Sequence, residues 1–140
     1  MIRFKVVTLD RKSSTYDRGD YDFVLDYPKD TTVTAPKWSI GIMVFDTKTQ
    51  AKEYINLFNG YMARDLQIIK VQTIGRGRRP LKILNLNLIN NHNIFDTLRG
   101  QSEFYKDIMF SGEVATNCTY NTFWPVPEGT MCYSSVKVLS

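Results

Sequence analysis

A continuous apolar run that leads directly into a helix cap is the feature that most restricts the fold of this chain. Residues 39–45, Ser-Ile-Gly-Ile-Met-Val-Phe, have the length of one strand. Such a run predicts a central strand covered on both faces. Thr47 and Gln50 follow at the spacing of a capping box, which predicts a helix over Thr47–Asn59. The apolar residues of this helix recur at helical spacing and should face the sheet as one stripe: Ala51, Tyr54, Ile55 and Phe58.

Strand-like runs on either side of this unit complete the predicted architecture. Their composition is that of strands, and they cover Ile2–Leu9, Tyr21–Tyr27, Leu66–Ile74, Leu81–Ile89 and Thr130–Leu139. A second, short helix is expected at Ile94–Tyr105. We therefore expect one domain, residues 1–140, with an α+β fold: a mainly antiparallel sheet packed on one long helix, with a second short helix.

Composition and residue counts exclude several classes of function. Apolar residues make up 43% of the chain and charged residues 23%, as is usual for a globular protein. No apolar run has the length of a membrane span, so no membrane partner is expected. His92 is the single histidine, and Cys118 and Cys132 are the two cysteines. These are too few for a structural zinc site, and they exclude histidine-based nucleophilic catalysis unless one of the cysteines lies near His92. We expect no metal, no cofactor and a reduced, cytoplasmic protein.

Positive charge is concentrated in one segment, which we expect to be a hairpin turn between Leu66–Ile74 and Leu81–Ile89. Residues 64–82 carry six basic side chains and one acidic one, a surplus of +5, whereas the whole chain has a net charge of +4. Glycine lets the backbone approach a ligand closely, and arginine presents a planar fork of donors to phosphate. An anionic partner is the functional interpretation, and a solvated hairpin tip that protects a sheet edge is the alternative. The candidate ligand-binding residues of this turn are Gly75, Arg76, Gly77, Arg78 and Arg79.

Aromatic side chains near the C-terminus are the second candidate feature. Tyr120 and Trp124 lie in a region that also contains Phe123 and Tyr133. Aromatic rings beside arginines stack on and clamp nucleobases, so Trp124 and Tyr120 are added to the candidate ligand-binding residues. The alternative is that these rings pack as a small core beneath a long loop.

One enzymatic hypothesis rests on residue types alone. Arg3 on the first strand, a Ser/Thr group and a Gln-x-Glu motif are the residue types of ADP-ribosyltransferases. There the arginine and the Ser/Thr group hold a nicotinamide cofactor, and the glutamate stabilises an oxocarbenium-like centre. The Ser/Thr group here would be Ser134 with Ser135, or Ser13 to Thr15, and the motif would be Gln101 and Glu103. Ser134 follows Gln101 in the chain, whereas the family places the Ser/Thr group before the motif. Residue types without geometry therefore make this an alternative only.

Two segments of the chain have distinctive motifs. One is the apolar strand ending in Val44-Phe45-Asp46, which leads into the helix. The other is the turn Pro127-Glu128-Gly129-Thr130, which leads into a final strand with Ser135 and Val136. In both segments the chain resembles a class of small proteins found in phages and prophages. The resemblance implies a phage or mobile-element origin and carries no catalytic residues.

The leading hypothesis from the sequence is a non-enzymatic, phage-type binding protein in the cytoplasm of a host cell. It would capture a phosphate-bearing partner, most concretely a nucleotide immune signal. Such ligands are often held in pockets between subunits, so a homo-oligomer is part of this hypothesis. The alternatives are an inhibitor that binds nucleic acid or a host protein, and the nucleotide-cofactor enzyme described above.

Overall fold

Eight strands and one helix make up the described chain. The computed structural model describes residues 1–13, 25–37, 40–58, 65–84, 110 and 123–140. The strands and the helix are, in chain order, β1 Ile2–Thr8, β2 Thr32–Thr34, β3 Ile42–Phe45, α1 Lys48–Phe58, β4 Leu66–Ile74, β5 Lys82–Leu84, β6 Phe123–Pro125, β7 Thr130–Tyr133 and β8 Ser135–Val138.

The main sheet curls into a small barrel because two of its strands are halves of one bent strand. Its order is β2-β8-β4-β1-β3-β7, and every pairing is antiparallel. Only Ser134 separates β7 from β8 in the chain, although three strands separate them in the sheet. Beyond β4, Arg78 exchanges two backbone hydrogen bonds of 2.9 and 2.8 Å with Cys132 of β7. The ring β1, β3, β7–β8 and β4 therefore closes, with β2 added beside β8.

Branched apolar side chains fill the inside of this barrel. Val7, Val44, Val71, Val136 and Val138 are completely buried and belong to one cluster with Tyr27 and Tyr133. Valine fits a pleated surface well because its branched side chain packs against its neighbours with little loss of rotamer freedom. Complete burial of each such side chain stabilises the fold by about 1.5–3 kcal/mol.

Helix α1 covers part of the outer face of the barrel. Ala51 and Tyr54 are buried against Val6 and Phe45, and the rings of Phe45 and Tyr54 have their centroids 5.2 Å apart. The predicted capping box is confirmed. The backbone N–H of Gln50 donates to Thr47 Oγ1 over 3.1 Å, and that of Thr47 donates to Gln50 Oε1 over 3.2 Å.

The predicted fold class is wrong. The described residues form a mostly antiparallel sheet of six strands with a single helix of 11 residues, rather than a sheet packed on one long helix with a second helix beside it. The segment proposed for the second helix, Ile94–Tyr105, lies outside the described residues. A short helix suffices here because the barrel buries most of its apolar side chains within itself.

The predicted hairpin around the arginines is also wrong. β4 matches the predicted strand Leu66–Ile74, but its partners are β1 and β8. β5 pairs with β6 in a separate two-stranded sheet. The strands on either side of the arginine segment therefore do not pair with each other, so this segment is not a hairpin tip.

Candidate anion-binding site

The arginine segment is a bulge in the pairing between the β4 side of the barrel and the bent strand β7–β8. Ile74 pairs with Ser135, and Arg78 pairs with Cys132. Three residues, 75–77, lie between these pairs on one side and two, 133–134, on the other. The extra residue makes this an irregular stretch within a ladder, and bulges of this kind redirect side chains at barrel rims. We call residues Gly75–Arg79 the arginine bulge.

The two glycines of the arginine bulge are required for different reasons. Gly75 has φ of +79°, a conformation that glycine adopts without strain, and a Cβ added there would meet no atom within 4 Å. Gly77 lies against the ring of Tyr133, where a Cβ would clash with the ring carbon Cζ. Tyr133 is itself buried in the barrel. A side chain at residue 77 would therefore displace either the ring or the bulge.

Asp46 joins the arginine bulge to the first strand. One carboxylate oxygen, Oδ2, lies 3.1 Å from Nη2 of Arg79, and the other, Oδ1, lies 3.1 Å from Nε of Arg3. The Arg79 contact is a hydrogen bond, whereas the Arg3 contact is an ion pair without hydrogen-bond alignment, and both of its atoms are buried. Arg79 also donates from Nη1 to the carbonyl of Thr130 over 3.4 Å. One carboxylate thus orients two guanidinium groups at one end of the barrel.

The other two arginines of the bulge have different surroundings. The guanidinium of Arg78 lies over the ring of Phe110, with its central carbon 3.8 Å from the ring centroid, which is a cation–π contact. Arg76 is exposed and makes no ion pair with any residue that the structure describes. Arg76 and the exposed half of Arg79 therefore have donors available to a ligand.

The positive charge at this end is only partly neutralised. Two acidic residues of the described chain are brought close: Asp46 itself, and Glu128, whose neighbour Gly129 accepts a hydrogen bond from the Asp46 backbone over 3.0 Å. Four arginines, at positions 3, 76, 78 and 79, against two carboxylates leave a local charge of +2. An anion that approaches the bulge would be attracted, with the strongest attraction at low ionic strength.

A buried lysine lies one layer further inside the barrel. Lys5 projects to the same side of β1 as Arg3 and Val7, and its Nζ lies 5.5 Å from the ring centroid of Tyr27. Burial lowers the pKa of Lys5 to about 8, and Cys132 partly opposes this shift. Burial also raises the pKa of the Cys132 thiol to about 12. That pKa makes Cys132 a packing residue rather than a nucleophile.

A small cavity lies between the barrel and α1. It is lined by Lys5, Phe45, Tyr54 and Thr130, among others. Its volume of about 10 Å³ is enough for one water molecule. This cavity is therefore too small to hold a nucleotide.

The remaining predicted site residues are described only in part. Trp124 lies in β6 opposite Ile83, and Tyr120 lies outside the described residues. Ser135 shares a hydrogen bond of 2.9 Å with Thr34, and Gln101 and Glu103 are not described. The structure thus brings together Gly75, Gly77 and the three arginines. Arg3 lies at the same end and Ser134 lies opposite the bulge, and the enzymatic hypothesis, which also needs Gln101 and Glu103, stays a prediction.

Sequence reasoning missed three residues of this end: Arg3 as a member of the arginine group, Asp46 as its shared acceptor, and Phe110 beneath Arg78. Asp46 was visible as the acidic end of the Val-Phe-Asp motif, but its position suggested only a helix start. Neither Arg3 nor Phe110 has a local pattern that would place it beside the bulge.

Comparison of the chain with protein-family models, with curated proteins and with solved structures finds no significant match. No helix in the described ranges is long and apolar enough to cross a membrane. No group of three or more His, Cys, Asp or Glu residues in those ranges has the geometry to hold a metal ion.

Proposed function

We propose that this chain is a non-enzymatic binding protein, of the kind encoded by phages, that holds a phosphate-bearing partner on the arginine bulge. The observation that carries the proposal is the joint placement of four arginines at one end of the barrel against two carboxylates. Arginine binds phosphate bidentately, and Asp46 already orients one of these forks. A nucleotide immune signal in the host cytoplasm is the most concrete small partner.

Nucleic acid is the second candidate, and one observation favours it. The bulge stands at the surface, and the small cavity nearby has room for only one water molecule. A small-molecule site usually encloses most of its ligand, whereas nucleic acid is held on an open basic surface. A pocket formed between two copies of the chain would restore the nucleotide hypothesis, so oligomeric state separates the two candidates.

Replacement of all three bulge arginines tests the proposal. Charge-assisted hydrogen bonds to phosphate contribute about 1.5–3 kcal/mol each, so Arg76→Ala/Arg78→Ala/Arg79→Ala should weaken binding by at least a hundredfold. Thermal shift with cyclic and linear nucleotides, followed by titration with a labelled oligonucleotide, identifies the partner, because a ligand bound only by the native state raises Tm.

A matched variant controls for net charge. Lys29→Ala/Lys48→Ala/Lys52→Ala removes the same number of positive charges from exposed positions outside the bulge. This variant should retain most of the affinity. Equal losses in the two triple variants would reduce the effect to overall charge, and binding that survives the arginine replacements unchanged would overturn the proposal.

A further inference from the structure

The barrel has a bare sheet face beside the arginine bulge. In β4 the residues at even positions point outward, and antiparallel register places residues of β8 and β2 on the same face. The 2.9 Å contact between the Thr34 and Ser135 hydroxyls confirms that these two strands share it. We call this surface the open sheet face, and its exposed residues are Thr32, Thr34, Lys70, Gln72, Ile74 and Lys137.

The charge on the open sheet face is of one sign. Lys70 and Lys137 are both exposed, and none of the described residues that the register places there is acidic. Gln72 pairs directly with Lys137, so Lys70 is the diagonal neighbour of Lys137, with roughly 7–8 Å between their Cα atoms. Neither lysine forms an ion pair with another part of the described chain. Two neighbouring like charges without an acidic partner repel each other, and a bound polyanion would relieve that repulsion.

The polar residues between the lysines suit a phosphodiester backbone. Threonine hydroxyls and the Gln72 amide donate hydrogen bonds to phosphate oxygens, which are the commonest protein contacts to nucleic acid. The face continues through Ile74 directly into the arginine bulge. From Lys70 to Ile74 the strand advances four residues, or roughly 13 Å, and the bulge extends the surface further, which is more than one nucleotide needs.

We propose that the open sheet face and the arginine bulge together form one binding surface for the phosphate backbone of a nucleic-acid duplex. This inference rests on the proposed function and assigns its partner. Single strands are usually held by aromatic rings on which bases stack. The exposed residues of the open sheet face include no ring, and Phe4, which β1 places beside Lys70, is half-buried against the cluster under α1. A partner that presents only phosphates outward, with its bases stacked inside, fits such a face better.

The test compares two pairs of lysines in the complete chain. Binding of a labelled twenty-base-pair DNA duplex is followed by fluorescence anisotropy from about 50 to 200 mM salt, the range over which phosphate contacts dominate the affinity. The slope of log K against log salt is negative, and each lost phosphate contact reduces its magnitude by about 0.9. Lys70→Gln/Lys137→Gln should therefore make the slope shallower by nearly two. The affinity at the lowest salt should fall about tenfold or more. Lys48→Gln/Lys52→Gln removes two neighbouring lysines from α1 and should leave the slope unchanged.

The outcomes separate this inference from the proposed function. If the arginine variant loses duplex binding while Lys70→Gln/Lys137→Gln behaves like the α1 control, the proposed function stands and the open sheet face is not part of the site. A twenty-nucleotide single strand that binds as tightly as the duplex would overturn the choice of partner. If Lys70→Gln/Lys137→Gln loses binding while the α1 control does not, and its thermal unfolding curve is like that of the wild type, the combined surface is supported.

Discussion

Arg3 and Lys5 are two basic side chains on the same side of one strand, but their electrostatic surroundings are opposite. Arg3 lies at the end of the barrel and faces the carboxylate of Asp46 at 3.1 Å. Lys5 lies one layer deeper and is almost completely buried. The described groups that interact with its charge are the Tyr27 ring and the Cys132 thiol. A cation at the rim is therefore compensated, whereas the cation in the interior is not.

The difference shows how this small barrel accommodates charge. A buried charge without a partner costs free energy because water no longer solvates it, and proteins reduce that cost by lowering the pKa of a lysine. The ring of Tyr27 compensates only in part. At the rim, one carboxylate serves two arginines and some water still reaches the group. Charged side chains at the rim therefore reduce the stability of the fold only slightly, whereas the buried charge of Lys5 reduces it considerably.

The largest expected effect is a gain in stability when the interior charge is removed. Lys5→Met keeps a long, flexible side chain and eliminates the ammonium group. The pKa of Lys5 falls from 10.5 to about 8 on folding, and each pKa unit corresponds to about 1.36 kcal/mol, so the gain at pH 7 should be about 3 kcal/mol. Urea unfolding at pH 7 measures it.

The pH dependence provides an independent check on Lys5. Because its folded pKa is lowered, the folded protein binds fewer protons than the unfolded chain between about pH 8 and 10.5. Stability of the wild type should therefore rise with pH in this window, by about 1 kcal/mol between pH 8 and 9. The raised pKa of Cys132 acts in the opposite direction from about pH 8, and that of Tyr27 from about pH 9, so the net rise is smaller than the contribution of Lys5. If Lys5→Met shows the same rise between pH 8 and 9, another group is responsible.

The second prediction applies the same replacement at the rim and expects the opposite sign. Arg3→Met removes the ion-pair partner of Oδ1 of Asp46, a buried atom that has no hydrogen bond, and a buried polar group left without its partner costs about 1–3 kcal/mol. We expect a loss of about 2 kcal/mol in urea unfolding at pH 7, because Arg79 remains on the other carboxylate oxygen. Arg3→Lys should recover part of the loss. A gain comparable to that of Lys5→Met would show that Asp46 does not compensate Arg3.

Sequence patterns predicted those parts of the molecule whose structure is determined locally. The helix start at Thr47 and Gln50 depends on residues three apart, and β4 has a composition that alone favours a strand. β2 was missed because Thr32–Thr34 is too short to show a period. The predicted strand Thr130–Leu139 was one element in sequence, but it bends at Ser134 to close the barrel.

The candidate site shows the same limit more clearly. Gly75, Gly77 and the three arginines were identified from composition, but their interpretation as a hairpin tip was wrong. Glycine and proline are common to turns and to bulges, and the partner that distinguishes the two, Cys132, lies far along the chain. Asp46 and Phe110 reach the arginines through tertiary packing, for which one sequence without relatives contains no pattern.

The smallest expected effect separates the two arginines that share Asp46. Arg79 has 53% of its side chain exposed, whereas Arg3 has 17%. Exposed ion pairs contribute little because water screens them, so Arg79→Met should cost less than 1 kcal/mol, and less again at high salt. Double-mutant cycles with Asp46→Asn measure each pair directly. The coupling energy of Asp46 with Arg3 should exceed that with Arg79. The reverse order would mean that Asp46 chiefly holds the bulge, and the rim would then resemble the interior in leaving its first-strand cation uncompensated.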